Sequence, residues 1–309
     1  MTGAVVFPGQ GAQAVGMGRE LAEAVPESRA LFDRAAEVLG YDLAKLCFEG
    51  PIEKLTDSSH AQPAIFVVSI TCLRAFESRA RGAAFAASAG LSSGEWAAMC
   101  AAGAISFDDA VRVLRARGEF MQEACRERPG AMTSVLGLAE GELDRVCAES
   151  GAETANFNSP EQTVLSGPKD AIERAELLAA TAGARRVLRL NVAGAFHSSL
   201  MESAARRLDE FLRGIPFLSP RFPVVSNVTG LLHGSPDEIR RLMVRQVTSS
   251  VRWVSCVRTL QQAGIRRYVE CGPGKVLTGL VRRIDKEAAV HNIQDRSSLE
   301  ATVGAWSGG

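Results

Sequence analysis

The sequence predicts an α/β protein, a parallel sheet flanked by helices and carrying an inserted ferredoxin-like unit. Three observations predict it. A short apolar strand, Ala4-Val-Val-Phe7, runs into a glycine-rich loop, Gly9-Gln10-Gly11. A second apolar strand, beginning at Ala83, passes through Gly90-Leu91-Ser92-Ser93-Gly94 into a helix. Between Pro129 and Val192 the rhythm of the chain changes. Strands that feed glycine loops are where α/β folds place functional backbone, and alternation of strands with helices implies parallel pairing.

Each element follows in order. Apolar residues at helical spacing run from Arg19 to Leu39 and from Ala64 to Ser78. After the Gly-x-Ser-x-Gly turn, a helix from Phe107 to Cys125 sets Val111, Leu114 and Met121 on one side, with Arg112, Arg115 and Glu119 elsewhere. Residues 131–136 then read as a strand, 140–150 as a helix, 153–157 and 162–166 as strands around an Asn-Ser-Pro turn, 169–182 as a helix and 185–192 as a strand. That β-α-β-β-α-β order is the ferredoxin-like one. The earlier style resumes with a helix from Ser198 to Arg213, strands at 223–226 and 267–270, and Gly272-Pro-Gly274. The chain therefore divides into a discontinuous α/β domain, 1–128 with 194–309, and a subdomain at 129–193. The site is expected in the cleft between them, and the polar tail after Asp295 is expected to fray.

Composition narrows the function classes. At 309 residues, 46% hydrophobic and 23% charged, the chain can bury a full core. Its 35 basic and 35 acidic residues cancel, so overall charge points to neither nucleic acid nor an anionic membrane. Seven cysteines, odd in number and without a Cys-x-x-Cys pair, fit a reducing cytosol rather than a disulfide framework or a zinc site. The longest apolar run, near Ala64 to Leu73, is too short for a bilayer, and no basic leader precedes an apolar stretch. A cytoplasmic protein is expected.

The Gly90-x-Ser92-x-Gly94 turn between strand and helix is a nucleophile elbow, which makes Ser92 the candidate nucleophile; Glu95 suits the positive start of the helix. A serine needs a base within reach, and the chain holds four histidines, His60, His197, His233 and His291. His233 falls in Leu-His-Gly-Ser-Pro, expected to be an exposed turn. His60 stands near a helix start and His291 in a late strand. His197, where the inserted unit returns to the main domain, is the candidate base, with a hydrogen-bonded structural histidine as the alternative. No aspartate between Ser92 and His197 stands at a strand end, so a backbone carbonyl can take the orienting role of the acid.

Eight motifs occur in the order seen in malonyl-CoA:acyl carrier protein transacylases. They are Phe7-Pro-Gly-Gln-Gly-Ala-Gln13, Gly90-x-Ser-x-Gly-Glu-Trp96, Arg117-Gly-Glu-Phe-Met-Gln122, Ala155-Asn-Phe-Asn-Ser-Pro160, Ala195-Phe-His-Ser198, Ser226-Asn-Val-Thr-Gly230, Arg245-Gln-Val-Thr248 and Gly272-Pro-Gly-Lys-Val-Leu277. The chain resembles this family and the acyltransferase domains of polyketide synthases over nearly its whole length. The resemblance implies a hydrolase-like α/β domain with the ferredoxin-like insertion. It implies Ser92 as the acyl-accepting nucleophile, His197 as its base and Gln246 as the residue whose backbone carbonyl orients the histidine, its side chain mattering less. By the same resemblance the backbone N–H groups of Gln10 and Ser93 form the oxyanion hole, Arg117 holds the malonyl carboxylate, and Asn158 and Gln62 lie near the site. A guanidinium suits a carboxylate because its donors are planar and paired.

The reaction implied is malonyl transfer from malonyl-CoA to the phosphopantetheine thiol of an acyl carrier protein, by a monomer needing no metal or redox cofactor. One departure is Leu91, where the family often has histidine before the nucleophile. The pathway served, fatty acid or polyketide, stays open. Arg185, Arg186, Arg189, Lys275, Arg282 and Arg283 are candidate docking charges for an acidic carrier. The competing readings are an acyl-thioester hydrolase on the same scaffold, which has no use for Arg117, and a non-catalytic carrier-docking module, which has no use for Ser92 and His197.

Overall fold

The computed structural model describes residues 3–80, 82 and 84–307; Ala83, the expected start of the elbow strand, and the end of the tail at 308–309 lie outside the described residues. The described strands are β1 (Gly3–Phe7), β2 (Phe85–Gly90), β3 (Gly130–Leu136), β4 (Glu153–Ser159), β5 (Gln162–Pro168), β6 (Arg186–Arg189), β7 (Arg267–Cys271) and β8 (Ala289–Ile293). They form two separate sheets. One is parallel throughout, in the order β2-β1-β7-β8. The other is antiparallel, in the order β4-β5-β3-β6.

The strands β1 and β2 are short runs of small and apolar residues, as suits a parallel sheet covered on both faces. Every residue of β1 is buried. The helices Gly94–Ala101 and Ser58–Arg79 touch the sheet strands, and the helix Phe107–Glu127 packs on Ser58–Arg79. Ser106 caps the helix Phe107–Glu127 by accepting the Asp109 N–H at 3.1 Å, and Val111, Leu114 and Met121 are buried along one stripe. The register pairs Phe7 with Gly90. The loops that leave β1 and β2 therefore emerge side by side, which brings Gln10 close to Ser92.

Helices Glu140–Ser150 and Lys169–Thr181 pack on the antiparallel sheet through Leu143, Val146, Leu165, Ile172, Ala175 and Ala179. Each expected element of this region is present, with its last strand trimmed to four residues. The helical stretch expected from Arg19 to Leu39 consists of two helices, Arg19–Ala24 and Pro26–Leu39, because Val25 is extended and Pro26 opens the second helix at a position where no N–H is needed. Two expectations elsewhere are corrected. The strand at 223–226 is reduced to bridges, Val224 beside Ser88 and Val225 beside Leu232. The tail does not fray: Arg296–Ser307 is a helix with Leu299 and Thr302 buried and Trp306 edge-on to Phe76, a stripe that its polar neighbours obscure. No helix among the described residues is long and apolar enough to cross a membrane.

Candidate active site

Ser92 sits at the tip of the turn from β2 into the helix Gly94–Ala101, with φ at 53°. A left-handed conformation at a residue with a side chain costs about 1–3 kcal/mol and persists only when its surroundings dictate it. The surroundings here are explicit. A Cβ at Gly90 would lie 2.0 Å from the Gly94 backbone, and one at Gly94 would lie 2.2 Å from the Phe7 carbonyl oxygen, so both positions demand glycine. Asn227 clamps the turn from the far side: its Oδ1 accepts the Ser92 N–H at 2.7 Å and its Nδ2 donates to the Gly90 carbonyl at 2.7 Å.

His197 is the other described non-glycine residue with positive φ, at 58°. Its Nε2 lies 2.8 Å from Ser92 Oγ and its Nδ1 lies 2.9 Å from the Gln246 carbonyl oxygen. A carbonyl only accepts, so Nδ1 carries the ring proton and the Nε2 lone pair faces the serine hydroxyl. Burial, with the Arg117 cation adding to it, pushes the imidazole pKa down to about 4. The ring is neutral at pH 7 and can accept a proton.

Arg117 projects from the helix Phe107–Glu127 and is 1% exposed. Nη1 donates to Gln62 Oε1 at 2.7 Å, Nη2 donates to Gln246 Oε1 at 3.0 Å, and Nη2 also lies 3.4 Å from Ser92 Oγ. Burial lowers its pKa to about 10 against the opposing pull of Glu95, which still leaves it charged at neutral pH. Both amide partners are uncharged and Nε has no hydrogen-bond partner among the described residues. A buried guanidinium beside a serine, bonded to neutral oxygens and with Nε unpartnered among the described residues, is receptive to an anion. Gln62 Nε2 in turn reaches Gln10 Oε1 at 3.4 Å, and Gln10 Nε2 donates to Ser58 Oγ at 3.0 Å. The backbone N–H groups of Gln10 and Ser93 donate to no internal acceptor among the described residues.

The structure thus brings together Ser92, His197, Gln246, Arg117, Gln62 and Gln10, with Ser93 beginning the elbow helix. Asn158 is the exception: it is half-buried on β4, its Oδ1 has no partner, and no hydrogen bond joins it to the others. The Gln246 side chain is engaged as well as its carbonyl: its Nε2 donates to the Ser92 carbonyl at 3.1 Å and to Glu95 Oε2 at 2.5 Å while its Oε1 holds Arg117. One expectation is corrected. His233 is not in an exposed turn. Its side chain is fully enclosed, with Nε2 2.6 Å from Glu95 Oε1.

Asn227, Glu95 and His233 are the supporting residues that reading the sequence left without a place in the site. Asn227 had one available signal, its place in the motif Ser226-Asn-Val-Thr-Gly230 after the apolar pair Val224-Val225. Of the proposed docking charges, Arg185 pairs with Glu161 and Arg189 with Glu176. Among the described residues no three His, Cys, Asp or Glu side chains gather as metal ligands would.

A serine on an elbow, a neutral histidine behind it and a buried cation beside it, at the edge of a parallel sheet, define a serine-dependent acyl-transfer centre. The family model described as acyl transferase domain matches residues 4–306, and the chain belongs to that family. It is 40% identical over 305 residues to the malonyl CoA-acyl carrier protein transacylase of Bacillus subtilis (strain 168), covering 97% of this chain and 96% of that one. It is 42% identical over 285 residues to polyketide biosynthesis protein ThaF of Burkholderia thailandensis, a match that covers 91% of this chain and 24% of ThaF. A solved chain from the complex of a type II polyketide-synthase acyl carrier protein with its malonyl-transacylase superposes with a TM-score of 0.95 at 40% identity, covering 99% of this chain and all of that one.

Proposed function

We propose that the protein moves a malonyl group from malonyl-CoA to the phosphopantetheine thiol of an acyl carrier protein through an ester on Ser92. The observation that carries this reading is the buried Arg117 guanidinium, which reaches Ser92 Oγ at 3.4 Å and is otherwise partnered by two amide oxygens, with no carboxylate among the described residues bonded to it. It supplies a cation where an acyl chain ending in a carboxylate needs one, in a bond that contributes about 1.5–3 kcal/mol. Gln62 and Gln246 hold that cation in place.

In the first half-reaction Ser92 Oγ attacks the thioester carbonyl carbon as its proton passes to His197 Nε2. The carbon–sulfur bond breaks, and coenzyme A leaves with the proton returned by His197. In the second, His197 takes the proton of the carrier thiol, whose sulfur attacks the ester carbon. Ser92 Oγ departs and recovers its proton. The Gln246 carbonyl steadies the imidazolium in both halves, standing in for an acid. The free N–H groups of Gln10 and Ser93 are suited to the oxyanion of each tetrahedral intermediate, where one such donor typically contributes about 2.7–4 kcal/mol. Exchange between two thioesters calls for no electron transfer, so the reading needs no redox cofactor or metal.

The reading extends to architecture and setting. Residues 129–193 are a ferredoxin-like subdomain inserted into a hydrolase-like domain of 1–128 and 194–309, supported by the β4-β5-β3-β6 order and its two packed helices. The enzyme acts as a cytoplasmic monomer. Intact-mass measurement tests the function: malonyl-CoA is expected to add one malonyl mass to the protein, and holo carrier protein is expected to remove it and gain it. Rapid hydrolysis with no malonyl-carrier product would replace transfer with thioester cleavage.

A further inference from the structure

Glu95 and Arg117 are a buried anion and a buried cation that face one another across a single amide. Glu95 Oε2 accepts from Gln246 Nε2 at 2.5 Å and from the Asn227 N–H at 3.2 Å, while Gln246 Oε1 accepts from Arg117 at 3.0 Å. Opposite charges in a dry interior attract strongly, and direct contact would give both a better partner than an amide. Such a contact would also occupy the guanidinium edge that faces Ser92. Something must therefore hold Glu95 back. Its other oxygen, Oε1, meets His233 Nε2 at 2.6 Å, and because a carboxylate only accepts, the ring nitrogen donates. His233 Nδ1 is buried without a partner, so the ring's one side-chain hydrogen bond is to Glu95. The imidazole is carried on the turn that follows the Val225–Leu232 bridge, outside the elbow helix that carries Glu95.

We propose that His233 is a positioning residue that tethers Glu95 away from Arg117, so that the guanidinium stays open to the carboxylate of the acyl substrate. The inference rests on the reading of Arg117 given under the proposed function. Without the tether, Glu95 swings toward Arg117 and acts as an internal competitor of malonate. Uncharged acyl groups, which make no use of the cation, are then spared.

The test presents malonyl-CoA and acetyl-CoA together in equal amounts and reads the ratio of malonyl to acetyl ester on Ser92 by intact mass. The ratio reports only folded, active molecules, so a purely structural loss leaves it unmoved. His233→Leu is expected to lower it by about tenfold or more while acetyl loading persists. His233→Gln, whose amide reaches the same Glu95 oxygen, is expected to keep the wild-type ratio. The double variant His233→Leu/Glu95→Gln is expected to restore it, because an amide cannot form the competing ion pair. Should the leucine variant fail to fold, His233→Asn, with an amide too short to reach Glu95, carries the same expectation. A ratio within about twofold of wild type in the folded variant, where Arg117→Ala does shift it, overturns the tether. So does a double variant that stays as low as the single one. If Arg117→Ala itself leaves the ratio unchanged, the carboxylate-binding reading has failed and the tether falls with it.

Discussion

Along the edge of the parallel sheet where β1 and β2 end, the protein buries its charges and bends its backbone, whereas on the antiparallel sheet it pairs its charges at the surface. Arg117, Glu95 and His197 are each 5% exposed or less, and Ser92 and His197 carry the described positive-φ strain outside glycine. Around the antiparallel sheet the ion pairs are open to water: Arg145 with Glu142 and Glu149, Arg174 with Asp170, Arg185 with Glu161, Arg189 with Glu176. A buried charge must be held by specific dipoles, so each neighbour of the site is constrained. A surface pair exchanges water for a partner at little net gain, so its members are nearly interchangeable. One helix shows both regimes: Arg112 and Arg115 pair with Asp109 and Glu119 in solvent, while two residues on from Arg115 the chain turns Arg117 inward.

Substitutions that break this contrast rank accordingly. Ser92→Ala removes the one acyl acceptor and is expected to abolish covalent loading by malonyl-CoA with the fold intact, read by intact mass and circular dichroism; persistent acylation would move the nucleophile elsewhere. Arg117→Ala is expected to cost about tenfold or more in malonyl loading, from the lost charge-assisted bond, and to raise acceptance of uncharged acyl chains. Competition kinetics between the two acyl-CoAs check this.

Asn227→Ala leaves the Ser92 N–H and the Gly90 carbonyl unpartnered at the strained turn. A loss of about 1–3 kcal/mol in urea unfolding is expected, together with reduced loading. A stability unchanged from wild type would show that the elbow holds its shape without this clamp.

The pH profile sharpens the same comparison. Burial and the Arg117 cation hold the His197 pKa near 4 in the folded protein, below the ordinary 6.5, so the base stays neutral well into acid. The acid limb of kcat/KM for loading is expected near pH 4, with activity falling about tenfold per unit below it. In Arg117→Ala the limb is expected to move up toward 6.5, because removing a neighbouring cation favours the imidazolium. A limb already at 6.5 in the wild type would mean that water reaches the imidazole. The smallest effect belongs to the other sheet, where Arg189→Ala is expected to change stability by less than about 1 kcal/mol in thermal unfolding.

The elbow was legible because its requirements are local. Gly90 and Gly94 flank Ser92 between an apolar strand and a helix, a setting that suits a tight turn, and the turn forms there. The strands and helices between Gly130 and Arg189 were legible for a similar reason, since periodicity within each segment sets its type. The buried stripe of Leu299 and Trp306 is not legible in the sequence because polar and small residues surround both, and Trp306 finds its partner in Phe76, far away in the chain. The burial of His233 is hidden in the sequence because Leu-His-Gly-Ser-Pro has the composition of a surface turn, while its partner Glu95 lies 138 residues earlier.

By itself the sequence determined which residues can do chemistry and what the backbone does within a few positions of each: a serine on a strained turn, a histidine with no strand-end aspartate between it and that serine, an arginine on an amphipathic helix. Tertiary structure alone decided which face of that helix sinks Arg117, which carbonyl orients His197, and that Glu95, Gln246 and His233 join in one buried network across 138 and 151 residues. The division has a physical cause. Propensity, turn geometry and periodicity act over a few bonds and are written locally, whereas the desolvation of a charge depends on everything that comes to surround it.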